Sequence, residues 1–596
     1  MKKKNIIGIL ALTAFLAVSC SDFLNEQPRS SLTPDYFTSD AGIEAGLTAA
    51  YSALRYQYGP EGAMSITVVG TDEFTYGGDG SSIEINNYGS ALFNNGHLQT
   101  PWNRNFTYIN TCNGIIEFGA ESGSPELIGE AKFLRAQYYY NLVTTFGGVP
   151  LDLGSGELKF NTTPSTTSVR NTEEEVYAAM LQDFKDAFEN LPYTASRTGA
   201  VAKSAALHYI AKTYLAIKDY QNALTYAKML IDDAEGPRTY GAYLLQDFRD
   251  VNRDGNEHNP EVLFLVEHTG ASYEFDESGE GAMDGPESGL KENRANFMMC
   301  PYYENQGLVN GNKPLTRTIE YGRGWRRFMP TPWLLNVAFA EKLHDSRYDA
   351  SFQKVWYATV EVEGDNGQTL HVGDTAFYMP GYEMTAAEKA AFVQRTGARV
   401  YLPSDYEPDA DGGTKKRQMF PANLKLAAPS RNGVNDASNR PFLVAKLSET
   451  YLIAAEAALM SGGDPTPYIN ALRRRAAYRN PNDYRGFEDG QDGAANLAKM
   501  GYDYQAALAA MTVARDRIDL DFILDEKSRE LCGEQLRFFD LARTGKLVER
   551  VQLNNPEQPA KANVRDFHRL RPIPQSQIDL MTNEDKANYQ NPGYNQ

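Results

Sequence analysis

The stretch VAKSAALHYIAKTYLAIKDYQNALTYAKMLIDDA, residues 201–234, decides how the chain is read. Leu207, Ile210, Ala211 and Tyr214 recur at i, i+3, i+4 and i+7, the apolar stripe of an amphipathic helix. Lys218-Asp219-Tyr220 is a short polar connection. Ala223, Ala227, Leu230 and Ile231 repeat the stripe, so a second helix folds back on the first. Ala211 and Ala223 carry only methyl groups, which lets two antiparallel helices approach closely. Such a hairpin is a scaffold without chemistry of its own.

Further helical patterns lie on either side. Ser39 to Tyr56, Trp102 to Phe118 and Gly129 to Phe146 carry the same period, and Gly147-Gly148 with Pro150 stop the last of these. Thr172 to Leu191 opens with Asn171-Thr172 and places Glu173 to Glu175 where the helix dipole favours acids. Leu443 to Met460 and Thr466 to Ala477 read as another antiparallel pair. The opening hairpin resembles a tetratricopeptide (TPR) repeat, with an ordinary αα-hairpin as the alternative, and the later pairs suggest several such units. Between about 236 and 442 the pattern is irregular, with β-like runs at Val262 to Val266 and Val355 to Val362. The expected architecture is mainly α, with a loop-rich second half on the helical scaffold.

The chain is 596 residues long, 42% hydrophobic and 23% charged, an ordinary globular composition. A formal net charge of −19 argues against a general nucleic-acid or anionic-membrane surface. Aromatics make up 11%, with 36 Tyr against 28 Phe. A tyrosine surplus suits surfaces that are flat and hydrogen-bonding, for sugars or for peptides.

Met1-Lys2-Lys3-Lys4 precedes an apolar run from Ile6 to Val18, too short to span a bilayer and therefore read as a secretory signal over residues 1–19. The run ends in Leu16-Ala17-Val18-Ser19-Cys20, similar to a bacterial lipoprotein processing site with Ala17 in place of the commoner Leu. Cleavage there leaves residues 20–596 with lipid on Cys20, and Ser21-Asp22 resembles the export tag of Bacteroidetes surface lipoproteins. The other cysteines, Cys112, Cys300 and Cys532, are odd in number and widely spaced, which gives no disulfide framework and no C-x-x-C metal site.

The run EAKFLRAQYYYNLVTTFGGVPL, residues 130–151, resembles a signature of the SusD/RagB family of Bacteroidetes outer-membrane nutrient-binding lipoproteins. Asn259 to Phe264, Arg440 to Ala458, Leu524 to Leu541, Leu570 to Leu580 and Gln590 to Tyr594 resemble further family segments in the same order. The resemblance implies one SusD-like domain over 20–596, in three parts near 20–235, 236–442 and 443–596. It implies a lipid-anchored, non-catalytic, cell-surface protein that binds oligosaccharide and passes it to a SusC-like TonB-dependent transporter in the outer membrane. Some relatives capture peptides instead, so that alternative stays open, with glycoside hydrolysis as a remote third.

Enzyme constellations are missing from the sequence: H-E-x-x-H, G-x-x-x-x-G-K-[ST], G-x-S-x-G and C-x-x-C do not occur. With 77 carboxylates, choosing two as a glycosidase pair has no force. No cofactor is expected to be required. Asp250, Asn252, Asp254, Asn256 and Glu261 match the EF-hand loop pattern, so a structural calcium ion is a candidate. Pro260 and the β-like run after Glu261 stand against it, because they replace the usual exiting helix.

Sugar rings stack their C–H faces on aromatics while hydroxyls find polar groups. Trp102 and Trp333 lie in apolar helical contexts and are expected in the core, and Trp356 fits either place. Trp325 is flanked by Gly322, Arg323, Gly324, Arg326 and Arg327 without apolar periodicity, which favours exposure. The family's ligand site is built from loops here and from one after the first helix. This makes Trp325, Tyr321, Tyr302, Tyr303 and Arg323, with Asp72, Tyr76 and Asp79 from the Gly/Asp-rich loop 71–80, the candidate glycan contacts. The alternative for each is packing of its loop on the scaffold. Arg317, Arg323, Arg326 and Arg327 form a local basic patch that either selects an anionic glycan or pairs with nearby carboxylates.

Overall fold

The computed structural model describes residues 34–594 except 122, 152–157, 164, 269–289, 409–414 and 485–492. Residues 1–19, the segment expected to act as a secretory signal, and Cys20 lie outside the described residues.

Helices dominate the described residues from 34 to 235. They are α1 (Asp40–Ala53), α2 (Glu61–Val68), α3 (Gln99–Phe118), α4 (Pro125–Phe146), α5 (Glu173–Asn190), α6 (Lys203–Ala216) and α7 (Tyr220–Glu235). Local chemistry sets their ends. Ser124 caps α4 and Gly147 ends it at φ +77°, while Thr172 and Glu175 close a capping box on α5. Each helix from α3 to α7 packs on the next, giving a stack of antiparallel pairs.

The chain then leaves the stack and returns. β7 (Phe442–Lys446) leads into α8 (Leu447–Met460), which packs on α7 and on α9 (Thr466–Ala476) and α10 (Leu520–Leu531). The stack therefore continues across the irregular segment between α7 and β7. The helix expected from Leu443 begins only at Leu447, because Phe442–Lys446 pairs antiparallel with β2 (Val262–Val266). A short apolar run reads equally well as strand or helix, and a partner distant in sequence decided it.

Helix α6 is not one-sided as its stripe suggested. Ser204, His208 and Thr213 are buried together with Leu207, Ile210 and Ala211, because α8 covers the second face. His208 meets Thr450 at 2.8 Å and Glu449 at 3.1 Å there, and Lys212 pairs with Glu449 at 2.7 Å.

Buried ion pairs fasten the loop-rich segment to the scaffold. Arg347 is fully buried and reaches Asp345 at 2.7 Å, Glu526 at 2.8 Å and Glu530 at 3.1 Å. Arg475 of α9 pairs with Glu261 at 2.8 Å and with Glu530. Burial pushes the Glu530 carboxyl up, but Arg475, Arg347 and Lys446 overcome this and hold it down at about 2. Within the segment, β4 (Val355–Tyr357) and β5 (Thr375–Tyr378) pair antiparallel, with β6 (Arg399–Val400) parallel to β5. Trp102, Trp333 and Trp356 are all in the core. No helix among the described residues is long and apolar enough to cross a membrane.

Candidate functional site

The loop 71–80 is not structureless. Phe74–Tyr76 forms β1 and pairs antiparallel with β3 (Phe328–Pro330), in register Tyr76↔Phe328. Beyond the ladder, the Gly77 N–H donates to the Arg327 carbonyl at 2.6 Å. A side chain at Gly77 would strike the Arg326 carbonyl oxygen, so glycine is required for this close approach. The 325–327 segment is held from its other edge as well. The N–H groups of Trp325, Arg326 and Arg327 donate to the carbonyls of Phe297, Cys300 and Met298 at 2.8–2.9 Å. Two segments far apart in sequence thus become one rim.

The Trp325 indole is half-buried against Phe297, with ring centroids 5.5 Å apart. Guanidiniums frame it: Arg327 at 4.2 Å, Arg294 at 5.3 Å and Arg323 at 5.8 Å from the ring centre. Asp79 reaches Arg327 at 2.9 Å, and Glu61 of α2 pairs with the same guanidinium. Arg326 lies 4.4 Å over the half-buried ring of Tyr302. Burial pushes the Asp79 carboxyl up and the Arg327 guanidinium down. Trp325, Arg323, Tyr302 and Asp79 therefore meet at this rim. Glu61, Arg294 and Phe297 join them, although no local pattern in the sequence marks those three.

The other candidates do not reach it. Asp72 is fully buried and holds Arg537 of α11 (Arg537–Arg543) through both oxygens, at 2.7 and 2.5 Å. Tyr76 is buried under the Arg417 guanidinium and donates its hydroxyl to Glu557 at 3.1 Å. Tyr303 stacks on Trp356 at 4.8 Å and donates to the Gly322 carbonyl. Tyr321 packs on the same tryptophan, and its hydroxyl accepts from the Tyr357 N–H at 2.9 Å. These rings hold the loops together, and their faces are covered. Asp72, Tyr76, Tyr303 and Tyr321 are accordingly corrected from ligand contacts to packing residues.

The calcium candidate does not fit either. Asp250 pairs with Arg253 at 2.7 Å, and Asp254 accepts from the Ser430 N–H and hydroxyl at 2.8 Å. Asn256 donates to the Asp250 carbonyl at 2.8 Å, and the Asn252 carbonyl accepts from Arg440 at 2.8 Å. Glu261 is spent on Arg475 and the Leu245 N–H. Among the described residues, no three His, Cys, Asp or Glu side chains converge as metal ligands. The loop is a turn held by Asp250–Arg253 within it and by Ser430, Arg440 and Arg475 from other parts of the chain.

A cavity of about 530 Å³ lies elsewhere, lined by Tyr140, Tyr177, Lys212 and Arg543 among others. Its charges are answered internally, Lys212 by Glu449 and Arg543 by Glu456.

Fold and rim together define a mainly α protein whose stacked helical hairpins display a loop-built aromatic and arginine surface. Residues 296–594 match the model described as the SusD family, and residues 22–215 match one described as starch-binding, associating with outer membrane. The chain belongs to the SusD family. SusD-like protein P2 of Formosa agariphila is 24% identical over the whole of both chains. SusD-like protein P38 of the same organism is 27% identical over 92% of this chain and 93% of its own. A laminarin-binding SusD-like protein superposes with a TM-score of 0.59 at 20% identity, covering 93% of this chain and all of that one. Surface glycan-binding protein A from Bacteroides fluxus gives 0.61 at 19%, with the same coverage. At these identities the structural likeness establishes the fold.

Proposed function

We propose that this chain is a non-catalytic glycan-binding protein of the cell surface, lipid-anchored through Cys20, that delivers oligosaccharide to a SusC-like TonB-dependent transporter in the outer membrane. The observation that carries the binding role is the β1–β3 ladder, which sets Asp79 and Arg327 beside Trp325 and Tyr302. An amphipathic aromatic face beside hydrogen-bonding groups is what a sugar ring requires. The names of the two similar solved structures, a laminarin-binding SusD-like protein and a surface glycan-binding protein, support the ligand class. The outer-membrane description of the N-terminal match supports the location. Lipid tethering would raise the protein's effective concentration at its transporter.

The test is glycan-array binding of the detergent-solubilised full chain, followed by calorimetry. Trp325→Ala is expected to weaken oligosaccharide binding roughly tenfold, since one aromatic contact contributes about 1–1.5 kcal/mol. Its melting temperature should change little, because the indole is only half-buried. Undiminished binding would remove Trp325 from the site. Affinity for peptides alone would overturn the ligand class, and turnover of a bound glycan would overturn the non-catalytic role.

A further inference from the structure

The chain carries a net charge of −19, yet the Trp325 rim concentrates cations. Two of its guanidiniums are answered: Arg327 by Asp79 and Glu61, Arg294 by Glu292. Arg317, the fourth arginine of the sequence patch, is held by Glu304 and turned to Asn435 at 2.5 Å. Arg323 and Arg326 differ, for neither has a direct ion pair among the described residues, although Asp79 acts on Arg326 electrostatically. Arg323 is exposed. Arg326 sits in the left-handed backbone region at φ +46°, unusual for a residue with a side chain, and its Nε is buried without a hydrogen-bond partner.

A third guanidinium lies behind them. Arg431 is 4% exposed, and its Nη2 donates to the Ile319 carbonyl. Its Nε and Nη1 have no acceptor among the described residues. It packs at 5.2 Å on Phe297, the ring that also supports Trp325, and fills the space where a Gly322 side chain would stand. Asp254 and Asp436 act on Arg431 electrostatically without a direct ion pair among the described residues, and a planar guanidinium fork matches an oxyanion better than it matches a neutral hydroxyl. Trp325 is therefore not a bare stacking plate. It is an aromatic face inside a frame of positive charge that the acids among the described residues answer only in part.

Resting on the reading of this rim as the glycan site, we propose that it selects an acidic glycan, holding a sugar carboxylate or sulfate ester between Arg323 and Arg326 while the ring lies against Trp325. Both sources present the same oxyanion to the guanidiniums, and Arg431 adds positive potential from beneath.

The experiment is calorimetry on the full chain with three probes: a polyuronate oligosaccharide, a sulfated oligosaccharide, and an uncharged oligosaccharide of matched length. At least one acidic probe is expected to bind ten times or more tighter than the uncharged one, and comparing the two acidic probes tells carboxylate from sulfate. Arg323→Gln with Arg326→Gln should cut that preference at least tenfold. Arg317→Gln, with the same loss of charge away from the rim, should leave it intact. Melting curves check folding, and Arg323→Gln alone, at an exposed position, carries the test if the double variant fails to fold. Equal affinity for acidic and uncharged probes, or equal loss in Arg317→Gln, overturns the selectivity while leaving the glycan reading in place. Binding of no oligosaccharide at all overturns both.

Discussion

Asp72 and Asp79 flank the same short strand, β1, and the fold uses them in opposite ways. Asp72 is sealed beneath the scaffold, with both carboxylate oxygens on Arg537 and Arg550 within 3.8 Å. Asp79 is only partly covered, its side chain 19% exposed; it accepts from the Ser81 N–H and hydroxyl at 3.0 and 2.9 Å and shares Arg327 with Glu61. One residue type within one segment thus serves architecture in the first case and a recognition rim in the second. Where water is excluded, a charge must find its partner inside the fold, and that partner is then unavailable to a ligand. Where water remains, a carboxylate can exchange its partner at little cost.

The largest effect should come from breaking the buried side of this comparison. Asp72→Asn leaves the Arg537 guanidinium without its main counter-ion, with Glu73 at 3.7 Å as the remaining acid. A loss of about 3–5 kcal/mol is expected from stranding one member of a buried pair. Urea unfolding measures it, and a cost below about 1 kcal/mol would show that Asp72 belongs with Asp79 after all.

Glu73, between them, gives the next largest effect and a defined pH window. Burial raises its carboxyl to about 7, with Asp72 adding to the rise and Arg537 opposing it. In the unfolded chain it ionises near about 4.3. The folded state therefore holds the proton longer, so this group's contribution is complete below about 4.3 and is lost as pH rises through 7. Roughly 3–4 kcal/mol is at stake over that interval. Glu73→Gln is expected to match the parent near pH 4 and to be the more stable protein at pH 8. Parallel stability curves across that range would mean that Glu73 ionises at the same pH in the folded and unfolded chain.

How much of this was legible in the sequence follows from the range of the interactions. Helix periods, the Thr172 cap and the Gly147 stop are local, and they placed the scaffold. Strand β7 was not legible, since Phe442 to Lys446 becomes a strand only through Val262 to Val266. Trp325 stood out because glycines and arginines surround it. Nothing near Asp72 names Arg537, nothing near Tyr303 names Trp356, and nothing near Glu261 names Arg475. The EF-hand-like spacing was real as a pattern, but its oxygens were claimed by Ser430 and Arg475, from other parts of the chain. Burial and pairing across hundreds of residues decide which polar groups remain for a ligand, and local patterns do not carry that information.

The smallest stability effect should come from Asp79→Asn, and it sharpens the contrast most. The Asp79–Arg327 pair keeps partial access to water, its side chains 19% and 22% exposed, so the change should cost about 1 kcal/mol. Its influence on binding should have a sign. With Asp79 neutral, Arg327 keeps Glu61 alone as counter-ion, and the net positive potential beside Trp325 increases. An acidic oligosaccharide should then bind roughly two- to fivefold tighter, the equivalent of about 0.5–1 kcal/mol, and an uncharged one no tighter than before. Calorimetry and a melting curve on the same preparation read both quantities. If Asp79→Asn destabilises the fold as strongly as Asp72→Asn does, the acid is architectural. If it weakens acidic and uncharged ligands alike, Asp79 contacts the sugar itself instead of tuning the guanidinium beside it.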